Sequence, residues 1–290
     1  QQSDARLHDL SAKFAVQIDG GEGLAMLEHP HDLWLSAFER DGEQCWAFGL
    51  AGCPTDVPAR SVSLERGHAL VIAVLELFLE LARPDQTRMR HLLAECSLDG
   101  FLARLAERVP LISIKGWQRS VGPNVLHIGA HPQRDADRVY IGAVPPLGRL
   151  DPAMLRGVAQ LAREQGDASL RFTPWQSLLL PGVHTDNAAQ VIHSLEQLGL
   201  RCSADDAMAH LIACTGSSGC SKGLADTKGD ARQLAELLQR HGHALNVHLS
   251  GCSRSCAAAH IAPITLLAVS AGHYDLYFRD AAQPGFGAPH

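Results

Sequence analysis

Four cysteines gathered into two short, glycine-rich loops constrain this chain more than any other feature. Of its eight cysteines, Cys214 and Cys220 sit in CTGSSGC, and Cys252 and Cys256 sit in GCSRSC. The spacings are C-x5-C and C-x3-C, with a predicted helix and strand between the two loops. Any fold of this chain that uses these thiols together must bring both loops to one place. Four thiolates can supply the four external ligands of one iron–sulfur cube. Gly216, Gly219, Gly223 and Gly251 allow the backbone to approach such a group and to donate N–H groups to its sulfurs. Three other readings stand beside this one. Zinc accepts four thiolates but favours closer C-x2–4-C pairs. Disulfides suit secreted chains, and buried free thiols behave as small hydrophobes. Cys45, Cys53, Cys96 and Cys202 stand apart in the sequence and are expected in the core.

Composition narrows the class. Hydrophobic residues make up 46% and charged residues 19% of 290 positions, as in ordinary globular proteins. The formal charge is −6, which argues against a general nucleic-acid binder. The longest apolar run, Ala69 to Ala82, contains Glu76 and Glu80. It falls short of the about 20 apolar residues of a bilayer span, so no membrane association is expected. No signal or transit peptide is evident, which points to the cytoplasm and reduced thiols. The absence of an initiating Met leads us to expect a shortened version of a longer protein.

Periodicity predicts mixed α and β structure. Strands are expected in Ala12–Asp19, His31–Phe38 and Gln44–Leu50, with Asp41-Gly42 as a hairpin turn. Helices are expected over Gly67–Leu81 and Thr87–Arg104, separated at Arg83-Pro84. Further on, strands are predicted at Val125–Gly129, Val139–Val144 and Ser169–Leu180. Helices are predicted at Asp151–Glu164, capped by Asp151, and at Asp186–Leu198. Strand, strand, helix, strand, helix is the order of a ferredoxin-like split βαβ unit. Beyond Cys202 come a short helical stretch over 205–213, a helix over Asp230–Arg240, and strands at Leu245–Leu249, Ile264–Val269 and Tyr274–Arg279.

The C-x5-C…C-x3-C arrangement, followed after its first pair by Asp226-Thr227-Lys228, resembles the sirohaem-type sulfite and nitrite reductases. Four further stretches are similar to the oxygen-using branch of that family, which forms precorrin-3B from precorrin-3A in aerobic cobalamin biosynthesis. They are LSAKFAVQIDGG (Leu10–Gly21), PPLGRL (Pro145–Leu150), LRFTPWQSLLLPGV (Leu170–Val183) and ACTGSSGCSKGLADTK (Ala213–Lys228). The resemblance implies an α+β fold of sulfite/nitrite reductase type, with a ferredoxin-like split βαβ unit flanked by two mixed α/β lobes. The expected pieces are a partial first lobe over 1–108, a ferredoxin-like half over 109–184, and a second lobe with the cluster over 185–290. A first ferredoxin-like piece of the family is missing from the match.

The resemblance also implies chemistry. Cys214, Cys220, Cys252 and Cys256 would bind a [4Fe–4S] cluster, with Cys256 the bridge to the sirohaem iron in the reductases. The implied reaction is oxygen-dependent: a monooxygenase hydroxylates precorrin-3A, a polycarboxylate tetrapyrrole, with dioxygen and closes a γ-lactone. It would draw on an NADH-linked electron donor and an additional mononuclear non-haem iron. Sirohaem itself belongs to the alternative, a sulfite or nitrite reductase. A non-catalytic electron-transfer module is a third reading, against which the length of the chain counts.

Carboxylate-rich ligands call for Arg and Lys. Lys115, Arg119 and Arg149 are the leading substrate-binding candidates. Arg83, Arg88, Arg90, His91, Arg171, Lys222 and Arg254 are weaker ones, and each has solvated surface charge as its bland explanation. Trp117 and Trp175 could stack on a macrocycle or pack in the core. Of the 16 His, His127, His131, His248 and His260 lie near loops and are candidate ligands of the mononuclear iron, typically a two-His, one-carboxylate set.

Overall fold

A computed structural model describes residues 5–122, 125–258, 262–280 and 285–290. They form two compact units, residues 1–122 and 123–290.

The first unit is built on a four-stranded sheet, β1 (Val16–Asp19), β2 (His31–Arg40), β3 (Glu43–Gly52) and β4 (Arg60–Ser63), in that order. β1 runs parallel to β2, and the rest is antiparallel. The β2–β3 hairpin closes at Asp41 and Gly42, both with positive φ (53° and 82°), the conformation that makes Asp-Gly a hairpin signal. Helix α1 (Gly67–Leu81) buries Leu70, Val74, Leu77 and Phe78 against Leu33, Leu35 and Phe48. It stops at Ala82, ahead of Pro84. The single helix expected over 87–104 is two, α2 (Met89–Leu93) and α3 (Leu98–Ala106). Ser97 breaks it by adopting extended backbone and accepting a hydrogen bond from the Gly100 amide as an N-cap.

The second unit holds two sheets. In the first, β5 (Gly129–Pro132), β6 (Arg138–Ala143), β7 (Arg171–Phe172) and β8 (Leu178–His184) are ordered β5-β6-β8-β7, all antiparallel. Helices α4 (Pro152–Gln165) and α5 (Ala188–Gln197) pack Val158, Ala162, Val191 and Leu195 onto it. Asp151 caps α4 by accepting from the Ala153 and Met154 amides. Two expected strands differ from the prediction, one displaced and one split in two. Residues 125–127 turn, with the Ile128 amide donating to Val125 O, and pairing begins at Gly129. Residues 169–180 are split by a turn at Thr173–Ser177, where Pro174 interrupts the run and Gln176 has φ 57°.

The other sheet contains β9 (Leu211–Ala213), β10 (Val247–Ser250), β11 (Ile264–Ser270), β12 (His273–Phe278) and β13 (Ala288–Pro289), ordered β13-β12-β11-β10-β9. β9, β10 and β11 are mutually parallel, and β12 and β13 are antiparallel. Helix α6 (Thr227–Arg240) covers one face through Ala231 and Ala235, packed against Leu211, Val247 and Leu249. It begins earlier than the expected Asp230, because Asp226 serves as its N-cap.

A structural repeat links the units. β1, β2 and β3 share direction and order with β10, β11 and β12. Val16 faces Leu33 and Val247 faces Ile264, so the partner lies the same distance along the chain in both. In this match Gly20 corresponds to Gly251, Gly21 to Cys252 and Ala25 to Cys256. Among the described residues, no helix is long and apolar enough to cross a membrane.

Candidate iron–sulfur site

Cys214 and Cys252 follow the C-terminal ends of neighbouring parallel strands. β9 ends at Ala213, which is opposite Leu249 of β10, and the Cys214 amide donates to Leu249 O at 3.2 Å. Gly251 and Cys252 continue directly from β10. The sheet register therefore brings both loops to one edge. Such an edge, at the carboxyl ends of parallel strands, is the usual place for ligands in parallel sheets.

Glycine lets the first loop close on itself and the second loop close on the first. A Cβ on Gly223 would lie 2.5 Å from the Gly216 carbonyl carbon and 2.7 Å from the Ser217 nitrogen. A Cβ on Gly251 would meet Cys214 Sγ and the Gly223 Cα, both at 3.3 Å. The Leu224 amide donates to Gly251 O at 2.9 Å, tying one loop to the other. Gly216, at φ 67°, takes a turn that a side chain would strain, and its carbonyl accepts from the Cys220 amide at 2.9 Å.

Two polar groups approach the Cys214 sulfur. The Gly251 amide donates to Cys214 Sγ at 3.1 Å, and Thr227 Oγ1 lies 3.6 Å from the same sulfur. The hydroxyl of Thr227 donates to Cys214 O at 2.8 Å. Both contacts come from the first turn of α6 or from a loop amide, and a helix N-terminus carries partial positive charge. The Asp226-Thr227-Lys228 motif thus divides its work: a cap, a contact with Cys214, and a lysine beside it. Lys228 Nζ donates to Leu147 O at 2.7 Å and to Ala213 O at 3.0 Å. Burial, then the neighbouring Arg149, lower its pKa, and Cys214 opposes that shift. Tyr274 on β12 donates to Asp230 of α6. Its pKa is raised by burial first and then by this carboxylate.

All eight cysteines are free thiols; Cys214 and Cys252 are half-buried, Cys220 and Cys256 exposed. Among the described residues no three His, Cys, Asp or Glu side chains gather as a metal site. The structure therefore brings the two cysteine loops together without assembling their thiols into a ligand set. A four-thiol donor set on two glycine-packed loops, with an amide already aimed at one sulfur, fits an iron–sulfur cube. Of the other four cysteines, only Cys45 and Cys202 are core residues. Burial pushes the Cys202 thiol up to about 12. Cys53 and Cys96 are half-buried instead, because they lie on connections where a side chain has cover from one side only. Cys53 contacts Thr55 Oγ1 at 3.1 Å.

The basic candidates separate. Arg149 is exposed in the Pro145–Leu150 loop, and its charge acts on Lys228. Lys115 and Arg119 belong to the first unit. Lys115 lines a groove of about 430 Å³ with Phe38, Arg40 and Trp117. Arg119 is turned into its own unit, its Nε 2.7 Å from the fully buried Asp19 carboxylate. In the structural repeat, Asp19 corresponds to Ser250. The first unit therefore has a buried ion pair at the base of the loop where the second has cysteines. Arg83 is paired with Asp85 and Glu95, and Arg88 with Asp32. Arg90, Arg171, Lys222 and Arg254 are exposed, and His91 is half-buried.

Trp117 packs on Phe38 at 5.0 Å, and Trp175 stacks on His127 at 5.4 Å. His131 is within 2.7 Å of Ile128 O, and His248 is buried on β10. These histidines are not brought together with a carboxylate among the described residues; His260 lies outside them. A cavity of about 940 Å³ beside α6 is lined by Arg201, Arg232, Asp206 and Glu236 among others, and by none of the expected site residues.

Reading motifs one at a time missed Gln176 and the bridging role of Lys228. Gln176 Nε2 donates to Ala257 O, next to Cys256, at 2.9 Å. The signal was present: PPLGRL, FTPWQS and ADTK were each singled out by resemblance. In the structure all three meet at the cysteine loops.

The fold is that of a sulfite/nitrite reductase: an antiparallel ferredoxin-like sheet joined to mixed α/β lobes. Residues 1–112 match the nitrite and sulphite reductase 4Fe-4S domain, and residues 131–198 the nitrite/sulfite reductase ferredoxin-like half domain. The chain belongs to the nitrite and sulfite reductase family. It is 27% identical over 293 residues to a chloroplastic ferredoxin–nitrite reductase of Zea mays, covering 91% of this chain and 50% of that protein. It is also 27% identical over 275 residues to a precorrin-3B synthase of Sinorhizobium sp, covering 94% of this chain and 57% of that protein. Among solved structures, the Mycobacterium tuberculosis NirA protein superposes with a TM-score of 0.71 at 22% identity, covering 90% of this chain and 53% of that one. The chain spans about half the length of the curated relatives it matches. The matched 4Fe-4S domain lies in the first unit, whereas the paired cysteines lie in its structural repeat.

Proposed function

We propose that Cys214, Cys220, Cys252 and Cys256 hold a [4Fe–4S] cluster, and that the protein acts on precorrin-3A to form precorrin-3B. The observation that carries the cluster reading is the docking of the two cysteine loops, glycine against glycine, at the ends of β9 and β10. When bound, such a cluster supplies electrons singly. The chain's own residues fix the loops, direct the Gly251 amide at a ligand sulfur and exclude side-chain bulk from the space between. Arg149, on the loop that Lys228 bonds through Leu147 O, suits a carboxylate of a tetrapyrrole substrate. Lys115 extends the basic set in the first unit.

The precorrin reading is supported by the four stretches similar to that branch, three of which converge on the cysteine loops. It is supported also by the relative of that name, which aligns with nearly the whole chain. Dioxygen, an NADH-linked donor and a cytoplasmic setting accompany this reading. A sirohaem-dependent nitrite or sulfite reductase is the second reading, favoured by the several ferredoxin–nitrite reductases among the relatives. Two measurements separate them. Anaerobically purified protein should show a broad iron–sulfur absorption without the sharp bands of an isobacteriochlorin. Incubation with precorrin-3A, a reductant and dioxygen should give a product that has gained oxygen. Sirohaem bands and no oxygenated product would transfer the assignment to the reductases, and zinc in place of iron and sulfide would sink both.

A further inference from the structure

Lys228 is the residue whose placement the proposed function does not yet use. Its side chain leaves the first turn of α6 and does not extend into solvent. Its ammonium is shared by two carbonyls from distant segments, Leu147 O at 2.7 Å and Ala213 O at 3.0 Å. Ala213 is the residue before Cys214, so Nζ is bonded to the peptide that leads into the first cysteine. Leu147 is aimed inward by an uncommon backbone: it has φ 53°, and Gly148 after it has φ 68°. A non-glycine residue in that region persists only where its surroundings hold it. Here the Leu147 side chain is buried in the core beside Leu211 and Ala213, and the ammonium holds its carbonyl.

The charge itself also goes against its surroundings. Burial and Arg149 both disfavour it, and a lysine would ordinarily keep its head group in water. Held here, it adds to the Gly251 amide and the α6 N-terminus around Cys214. In a half-buried setting its field is screened less than at the surface.

We infer that Lys228 is a positioning residue for the cysteine site. It latches the Pro145–Leu150 loop to the Cys214 loop and places a positive charge that eases electron uptake there. The inference rests on the reading that these loops hold an iron–sulfur cluster. The positive charge stabilises the more negative, reduced form, so its removal lowers the reduction potential.

The test uses the protein reconstituted anaerobically with iron and sulfide, as wild type, Lys228→Arg and Lys228→Gln. Glutamine keeps N–H donors but loses the charge, and arginine keeps both. Iron and sulfide content, thermal melting and a potentiometric titration followed by electron paramagnetic resonance are measured on each. The expected result is a potential shifted to more negative values in Lys228→Gln and close to wild type in Lys228→Arg. Loss of cluster from Lys228→Gln with retention in Lys228→Arg supports the inference equally. An unchanged potential in Lys228→Gln overturns it, as does an equal shift or equal cluster loss in both variants. A wild type that takes up no cluster refutes the cluster reading instead, and is recognised before any variant is compared.

Discussion

Replacing Gly223 by alanine should force open the first cysteine loop, whose two arms meet at this residue. The backbone of Gly223 is not in the left-handed region, so alanine is locally compatible there and the cost is one of contact alone. The added Cβ would stand 2.5 Å from the Gly216 carbonyl carbon, 2.7 Å from the Ser217 nitrogen and 2.9 Å from the Gly216 oxygen. All three are backbone atoms, so no flexible side chain can swing aside. Relief requires one arm of that loop to retreat by roughly 1 Å, given that carbon atoms settle about 3.5–4.0 Å apart. Overpacking of this kind costs about 1–3 kcal/mol. For a unit of this size that corresponds to roughly 2–12 °C in melting temperature. The assay is thermal unfolding of the metal-free protein, followed by iron and sulfide analysis after reconstitution, with Ser217→Ala as the neighbouring control. Ser217 is exposed, and its truncation should stay within about 0.5 kcal/mol of wild type. A Gly223→Ala protein that melts with wild type and takes up the same iron and sulfide would refute the close packing within the first cysteine loop.

Three further outcomes follow from the same geometry. Cys256→Ser should abolish iron–sulfur spectra while Cys96→Ser leaves them intact; equal loss would mean that the wrong four thiols have been chosen. Asp32 is buried and accepts from Arg88 Nε at 2.8 Å, the Met89 amide at 2.8 Å and the Ala15 amide at 2.9 Å. Asp32→Ala strands those donors and should cost about 3–5 kcal/mol in urea unfolding, and a loss under about 1 kcal/mol would contradict the burial. Burial lowers the pKa of His31, outweighing its bond to His29 and the charge of Asp32. The unfolded chain then binds the proton more readily, so this contribution to stability is present above about pH 6.5 and is lost as pH falls through the folded-state value. His31→Gln should flatten that dependence, and an unchanged slope between about pH 7 and pH 5 would exclude His31 as its source.

Local chemistry made much of the fold legible. Asp41-Gly42 and Asp151-Pro152 act through their own backbones, and the structure has a hairpin turn and a helix cap where each stands. The predicted bounds of α1 hold because fifteen consecutive residues carry one apolar pattern that ends before Pro84. The misread segments were those where neighbours compete. Ser97 draws the Gly100 amide to its side chain and divides a helix that periodicity alone would continue. Pro174 and Gln176 turn a β-rich run into a hairpin. The site was legible in part: the cysteine loops and the ADTK motif are neighbours in space. Arg119 reads in sequence like any basic candidate, and only folding sets it against Asp19, one hundred residues earlier.

The chemistry available is written in the chain: four thiols, their spacing, and the glycines that permit a close approach. So is its class as a mixed α and β protein, because hydrophobic period and turn residues are local properties. Which groups meet is settled by folding. The parallel register of β9 and β10 puts Cys214 beside Gly251, and Lys228 reaches both Leu147 and Ala213. These contacts join residues far apart in the chain, and their partners are chosen by sheet register and packing, which no local pattern encodes.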